Sequence, residues 1–254
     1  MKIIVSDYDC TLKTGDRIED NLKQAIINFR NQGNLFVIAT GRSYTSISNE
    51  LKAQGINEWI DYIISSNGAM ITDANQKVMF EKYIEPKTAY SLIEYAERHF
   101  DFFTCSNGRH VYGKFELDTN EAHMHHQRHQ KHLISKEDIL KTPIISLNVR
   151  AKNAEELLRQ KEEVMAHFEN RVSCFKNLTI FDIMAKDISK ATGINEVLKY
   201  YPSDEVYVIG DDFNDIDMVQ QFHGYAMSHG VEALKEVASK EYDSVYDLLI
   251  EHTK

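Results

Sequence analysis

Short runs that are apolar at almost every position alternate with helical patterns in the first third of this 254-residue chain, and again in its last quarter. Lys2–Ser6, Leu35–Ala39 and Tyr62–Ser65 are such runs. A helix is expected from about Glu19 to Gln32, with Gly33 as its stop, and another after Thr40-Gly41-Arg42-Ser43. Near the other end, Glu205–Ile209 leads into Gly210-Asp211-Asp212. A helix from about Ile216, a short strand Gly224–Met227 and a helix around Val231–Ala238 follow. A strand with no polar alternation has no face to offer water. Strands of this kind, joined by helical crossovers, form a parallel sheet covered on both faces.

The middle follows a different pattern. From Pro86 to about Ala185 there is a helix near Ala89–His99, then strand candidates His110–Gly113, Ile144–Arg150 and Leu178–Met184. Ile145, Leu147 and Val149 alternate with polar partners, as in an antiparallel strand with one face exposed. Asn153-Ala154-Glu155-Glu156 has a capping-box pattern, and Leu157, Leu158, Val164, Met165 and Phe168 form an expected apolar stripe behind it. The expected organisation is a parallel α/β core in two parts, residues 1–83 and 187–254, interrupted by an α+β insert at 84–186.

Net charge is −10 from 29 basic and 39 acidic residues, which argues against nucleic acid as the main partner. A small phosphorylated molecule needs only a local cationic pocket. Cys10, Cys105 and Cys174 are few, odd in number and widely spaced, so neither a disulfide framework nor a zinc site is expected. No run approaches the ~20 apolar residues of a membrane helix, and Asp7 interrupts any signal-like start. A soluble cytoplasmic protein with no membrane partner is expected; its oligomeric state is open, with a monomer favoured.

Four expected strand ends carry polar groups: Asp7 and Asp9, Thr40-Gly41-Arg42, Asn67-Gly68, and Asp211-Asp212 with Asn214 and Asp215. In an open parallel sheet, ligands bind outside the carboxyl ends of the strands. Asp7 and Asp9, one residue apart on an extended backbone, point the same way and repel each other. A cation or a reaction offsets that repulsion. One Asp can be a nucleophile and a second can move a proton. The pair could equally cap a turn, and Asp211–Asp215 could be an N-cap cluster. The latter lacks the regular acidic alternation, central Gly and distal Glu of a calcium loop. Two acidic strand ends on one sheet favour Mg²⁺, which takes a few carboxylates and leaves positions for water and phosphate. Thr40 and Gly41 suit a phosphate cradle or an ordinary cap. Lys190 sits in an expected first helical turn, where the helix dipole disfavours a cation.

These motifs, Asp-x-Asp-x-Thr-Leu, Ala-Thr-Gly-Arg-Ser, Ser-Asn-Gly-Ala, a late Lys and Gly-Asp-Asp-x-Asn-Asp, resemble in type and order the haloacid dehalogenase-like superfamily, specifically the Cof-type phosphatases. The resemblance runs over the whole chain. It implies a Rossmann-like core with a cap inserted after the third strand, the cap closing over the site and setting substrate choice. It implies Asp7 as nucleophile and Asp9 as general acid/base. Mg²⁺ would be held by Asp7, the Asp9 carbonyl and Asp211, with Asp215 in support. Thr40, Gly41, Lys190 and Asn214 would hold the phosphoryl group. Asn67 is a candidate substrate contact, and Arg42 is a candidate contact of either the substrate or an acidic partner. Two positions depart from the family pattern: Cys10 where Gly is usual, and His229 where Asn is frequent.

The expected function is a Mg²⁺-dependent phosphatase of small metabolites, sugar phosphates first, working through an aspartyl-phosphate. The rivals are a phosphotransferase or mutase on the same core, and a non-catalytic phosphometabolite-binding protein. His-rich residues 123–132, with His125 and His129 four apart, are taken as a solvated segment and not a metal site. Phe100, Phe102, Phe103, Tyr112 and Phe115 are taken as the insert's own core.

Overall fold

The computed structural model describes residues 1–177 and 180–253; the side chains of Glu121, His125, Arg128, His129 and Asn177 are also outside the described set. The expected facing of His125 and His129 therefore lies outside the described residues, as does the Leu178-Thr179 start of one expected strand. In chain order the strands are β1 (Ile3–Ser6), β2 (Leu35–Ala39), β3 (Tyr62–Ser65), β4 (Met70–Asp73) and β5 (Val78–Glu81). There follow β6 (Phe102–Ser106), β7 (Val111–Phe115), β8 (Ser146–Arg150), β9 (Val172–Asn177) and β10 (Ile180–Ala185), then β11 (Val206–Gly210), β12 (Tyr225–Met227) and β13 (Lys240–Tyr242). The chain divides into two compact units: Met1–Glu81 with Ser189–Lys254, and Lys82–Ile188.

The first unit is built on an eight-stranded sheet ordered β13-β12-β11-β1-β2-β3-β4-β5. Its central strand β1 runs parallel to β2 on one side and β11 on the other, with Ser6 in register with both Ile38 and Ile209. The carboxyl ends of three strands distant in sequence are thereby level, at the point where strand order reverses. Ile3 and Val5 face one apolar core with Val37, Ile64 and Val208, while Ile4 faces the other with Phe29, Phe36 and Ile38. Covered on both faces, the strand has no need of polar alternation. Each such side chain buried in full contributes about 1.5–3 kcal/mol.

β4 and β5, absent from the expected elements, add an antiparallel edge. Connections of a few residues, Ser66–Ala69 and Ala74–Lys77, cannot carry the long crossover that a parallel neighbour requires.

The second unit has a five-stranded sheet ordered β7-β6-β8-β10-β9, antiparallel throughout. Phe103, Cys105, Leu147, Val149, Phe181 and Ile183 are buried. Phe100 and Phe102 are buried as well, and Phe100 meets Phe181 edge-on at 6.1 Å. The helix Ala154–His167 starts at Asn153, whose side chain accepts from Glu156 N at 2.9 Å. The box is half made: the Glu156 carboxylate takes Lys152 N instead of Asn153 N.

The expected apolar stripe on this helix needs correction. Leu157, Val164 and Phe168 are buried, but Leu158 and Met165 are 42% and 39% exposed. Each lies about 100° round the helix from its buried neighbour, and the buried face is completed by Gln160. No helix among the described residues is long and apolar enough to cross a membrane.

Candidate active site

β1 ends at Ser6, and the chain then folds into a tight turn. Cys10 N donates to Lys13 O at 3.0 Å and Lys13 N to Tyr8 O at 2.9 Å. Tyr8 turns fully into the core. The extended alternation expected to align the two carboxylates stops at this turn, and they go to different partners: Asp7 to Lys190, Asp9 to Arg42.

Lys190 is the centre of the site. It opens the helix Lys190–Leu198 and is fully buried, with Nζ 2.6 Å from Asp7 Oδ1 and 2.6 Å from Asp215 Oδ1. The helix reaches this position because Gly68, past the end of β3, lets it approach. A Cβ on Gly68 would lie 2.1 Å from Ser189 O, and its φ of +104° is costly for any other residue. Ser189 caps the helix in a capping box with Thr192.

Asp215 uses its two oxygens differently. Oδ1 meets Lys190, while Oδ2 accepts from Asp211 N at 3.0 Å and Asp212 N at 3.1 Å. Asp215 thus caps the turn, as one reading of the sequence allowed, and also pairs with a buried cation. Asp212 caps the same turn by accepting from Phe213 N. Thr11, which the sequence suggested only as part of a motif, donates its hydroxyl to Asp211 Oδ1 at 2.5 Å.

Asp7, Asp211 and Asp215 each offer an oxygen, all within 4.8 Å of one another. Burial pushes the Asp7 carboxyl well above the usual carboxylate range, with Asp215 and Asp211 adding to it against the pull of Lys190. Burial also pushes Asp211 up to about 6. Lys190 is held above its ordinary value by Asp215 and Asp7, although burial opposes its charge. The two shifts have different main causes: burial raises Asp7, and the facing carboxylates raise Lys190. A single ammonium faces three carboxylates, so it stays charged and cannot neutralise them all. The site is short of positive charge and rich in hard oxygen donors, which is the donor set that Mg²⁺ takes.

The remaining candidates surround this cluster. Thr40 is buried at the end of β2, and its hydroxyl accepts from Arg42 N at 3.2 Å, with Gly41 between them. Asn67 is buried too, and its Oδ1 accepts from Asn214 Nδ2 at 3.0 Å. Ser66 and Asn67 have φ of 49° and 51°, a left-handed step that carries the chain sharply from β3 to Gly68. Arg42 forms a two-point ion pair with Asp9.

Cys10 has a φ of 60°, the conformation for which Gly is the usual choice. Its carbonyl is joined to the other departing position: His229 Nε2 lies 2.8 Å from Cys10 O. Burial, Asp211, Asp9 and Asp7 all push the thiol above its usual range, the opposite of a reactive cysteine's surroundings. Cys10→Gly is expected to relieve backbone strain of about 1–2 kcal/mol while adding about 0.4–1 kcal/mol of unfolded-chain entropy. Urea unfolding should therefore show stability unchanged or raised by up to ~1.6 kcal/mol, with turnover kept. A tenfold fall in turnover would show that the thiol takes part.

The family model of the haloacid dehalogenase-like hydrolases matches residues 4–247. The chain belongs to that family. Among its relatives, a Bacillus subtilis protein named 5-amino-6-(5-phospho-D-ribitylamino)uracil phosphatase YitU is 23% identical, over 94% of this chain and 90% of its own length. The fold is shared with a haloacid dehalogenase-like hydrolase from Bacteroides thetaiotaomicron, at a TM-score of 0.81 and 22% identity, covering 98% of each chain. It is also shared with the HAD subclass IIB sugar phosphatase BT4131, at a TM-score of 0.81 and 21% identity, covering 99% of this chain and 98% of that one. The expectation of an enzyme of the phosphatase class agrees with this family and with its relatives' names.

Proposed function

We propose that the chain is a Mg²⁺-dependent phosphatase of small phosphorylated metabolites. The observation that carries this reading is the buried Lys190 bridging Asp7 and Asp215, with Asp211 alongside, at the carboxyl edge of the sheet. Asp7, Asp211 and Asp215 would hold Mg²⁺, with the Asp9 carbonyl as a further ligand. Bound there, the ion supplies positive charge that lets an anionic carboxylate approach an anionic phosphate.

Asp7 attacks phosphorus, and the bond from phosphorus to the leaving oxygen breaks. Asp9 gives its proton to that oxygen. A water then attacks the aspartyl-phosphate and passes a proton to Asp9, and the bond to Asp7 breaks to release inorganic phosphate. Lys190 holds a phosphoryl oxygen, and its charge favours the ionised form of Asp7 against burial. Thr40 and Gly41 present a hydroxyl and an N–H to the other oxygens, and Asn214 contributes from the β11 side. Little covalent work is asked of the protein beyond this, so positioning and charge supply most of the rate.

Two relatives point to the substrate class. One is named for a phosphorylated ribityl compound and one is a sugar phosphatase, so a phosphorylated sugar or polyol is the substrate we favour. Phosphate release from sugar phosphates, nucleotides, flavin mononucleotide and pyridoxal phosphate, with Mg²⁺ or with EDTA, tests the proposal. Release is expected only with Mg²⁺, fastest from a sugar or polyol phosphate. No release from any compound would overturn the phosphatase reading, and phosphate passing only to a sugar acceptor would favour a phosphotransferase.

A further inference from the structure

We propose that Arg42 is the positioning residue of Asp9, and not a contact of the substrate. This rests on the phosphatase reading, in which Asp9 carries the proton.

Asp9 cannot hold its own orientation. It lies on the turn after β1 with its side chain 46% exposed, and among the described residues its side chain is hydrogen-bonded by Arg42. Arg42 grips both oxygens, Nε to Oδ2 at 2.7 Å and Nη2 to Oδ1 at 2.5 Å. Two parallel bonds from a planar fork set the plane of the carboxylate as well as its distance.

Arg42 is itself braced by several contacts. Its N–H donates to Thr40 Oγ1, and its carbonyl accepts from Ser66 N at 2.8 Å. The guanidinium lies 5.2 Å from the centre of the Tyr8 ring, and Tyr8 is fully buried. Its third nitrogen, Nη1, is 3.8 Å from Glu50 Oε2. Glu50 is anchored in turn: its Oε1 accepts from Tyr8 Oη at 3.2 Å and from Lys13 Nζ at 2.6 Å. The brace thus runs from the residue between the two aspartates, through Glu50, to Arg42 and back to Asp9.

This arrangement leaves Arg42 poorly placed to bind substrate. Nε and Nη2 are committed to Asp9, and Nη1 faces Glu50. A phosphate or sugar group could meet only the N–H groups of Nη1 and Nη2 that Asp9 does not occupy, beside the Glu50 carboxylate. The fork also makes both Asp9 oxygens acceptors, which suits the half-reaction in which Asp9 takes a proton from the attacking water. Donation to a leaving alcohol requires one leg of the fork to open.

The test is a kinetic double-mutant cycle on a substrate found by phosphate release, comparing wild type, Arg42→Ala, Arg42→Lys, Asp9→Asn and the double variant Asp9→Asn/Arg42→Ala. General acid–base groups contribute about 10²–10⁴-fold, so Arg42→Ala is expected to lower kcat by about 10–100-fold with KM within about threefold of wild type. Arg42→Lys, which cannot form the fork, should recover kcat only in part. The double variant should be no slower than Asp9→Asn alone. The unfolding midpoint of each variant identifies any loss due to misfolding, and the Lys variant keeps the comparison usable if the Ala variant is unstable. A raised KM with kcat kept would make Arg42 a substrate contact and overturn the proposal. So would a full additional loss on top of Asp9→Asn. A wild type that releases no phosphate would refute the phosphatase reading itself and this inference with it.

Discussion

Lys190→Met should destabilise the folded protein by about 3–5 kcal/mol and abolish turnover. Removing one member of a buried ionic group leaves its partners charged and unpaired, and that carries the cost. The partners here are Asp7 and Asp215, each 2.6 Å from the ammonium, and Asp215 is wholly buried. The expected size follows from this burial, since an exposed ion pair is worth only ~0–1 kcal/mol. Urea unfolding without divalent cation reads the effect directly. Adding Asp215→Asn removes one of the stranded charges and should recover part of the lost stability without recovering activity, because the two sites are in contact and their effects do not add. A loss below about 1 kcal/mol in the single variant would show that the site relaxes around the missing cation, contrary to the packing described here.

Asp7→Asn should have the opposite profile. Its folded stability is expected to stay within about 1 kcal/mol of wild type, or to rise, because burial and two facing carboxylates already disfavour the Asp7 charge. The amide oxygen can still accept from Lys190. Turnover should fall by on the order of 10⁴-fold or more, since an amide does not attack phosphorus and loss of a nucleophile removes both half-reactions. Phosphate release read beside unfolding separates chemistry from folding. Residual activity within tenfold of wild type would mean that Asp7 is not the nucleophile. Together the two variants distinguish a residue that holds the site together from one that only reacts in it.

Much of the core was legible because its strands are covered on both faces. Leu35–Ala39 and Tyr62–Ser65 match their expected bounds, and the helix expected from about Glu19 to Gln32 spans Asp20–Asn31. β4 and β5 were not legible. They form a short antiparallel edge, and Val78, Met79, Phe80 and Glu81 are exposed or half-buried, so no strong apolar run marks them. On the helix Ala154–His167 and its C-cap Phe168, five apolar residues suggested one stripe, yet 158 and 165 lie off the buried face. Periodicity places residues on a cylinder but does not say how wide the covered arc is.

The candidate site was legible as a set of residues and not as a set of contacts. Asp7, Asp9, Thr40, Lys190 and Asp211 stand out because strand ends, turns and helix starts are local features, written in neighbouring residues. That Lys190 meets Asp7 across 183 positions, while Asp9 takes Arg42 instead, depends on strand order and on the close approach at Gly68. The alternation of strand and helix, the acidic strand ends and the order of the motifs were determined by the sequence by itself. Which carboxylate shares the buried ammonium, which is clamped by a guanidinium, and which divides its oxygens between a cap and a charge were decided by the tertiary structure. The reason is physical: local pattern sets burial and backbone direction, but the pairing of charges depends on distances between elements that only the assembled sheet brings together.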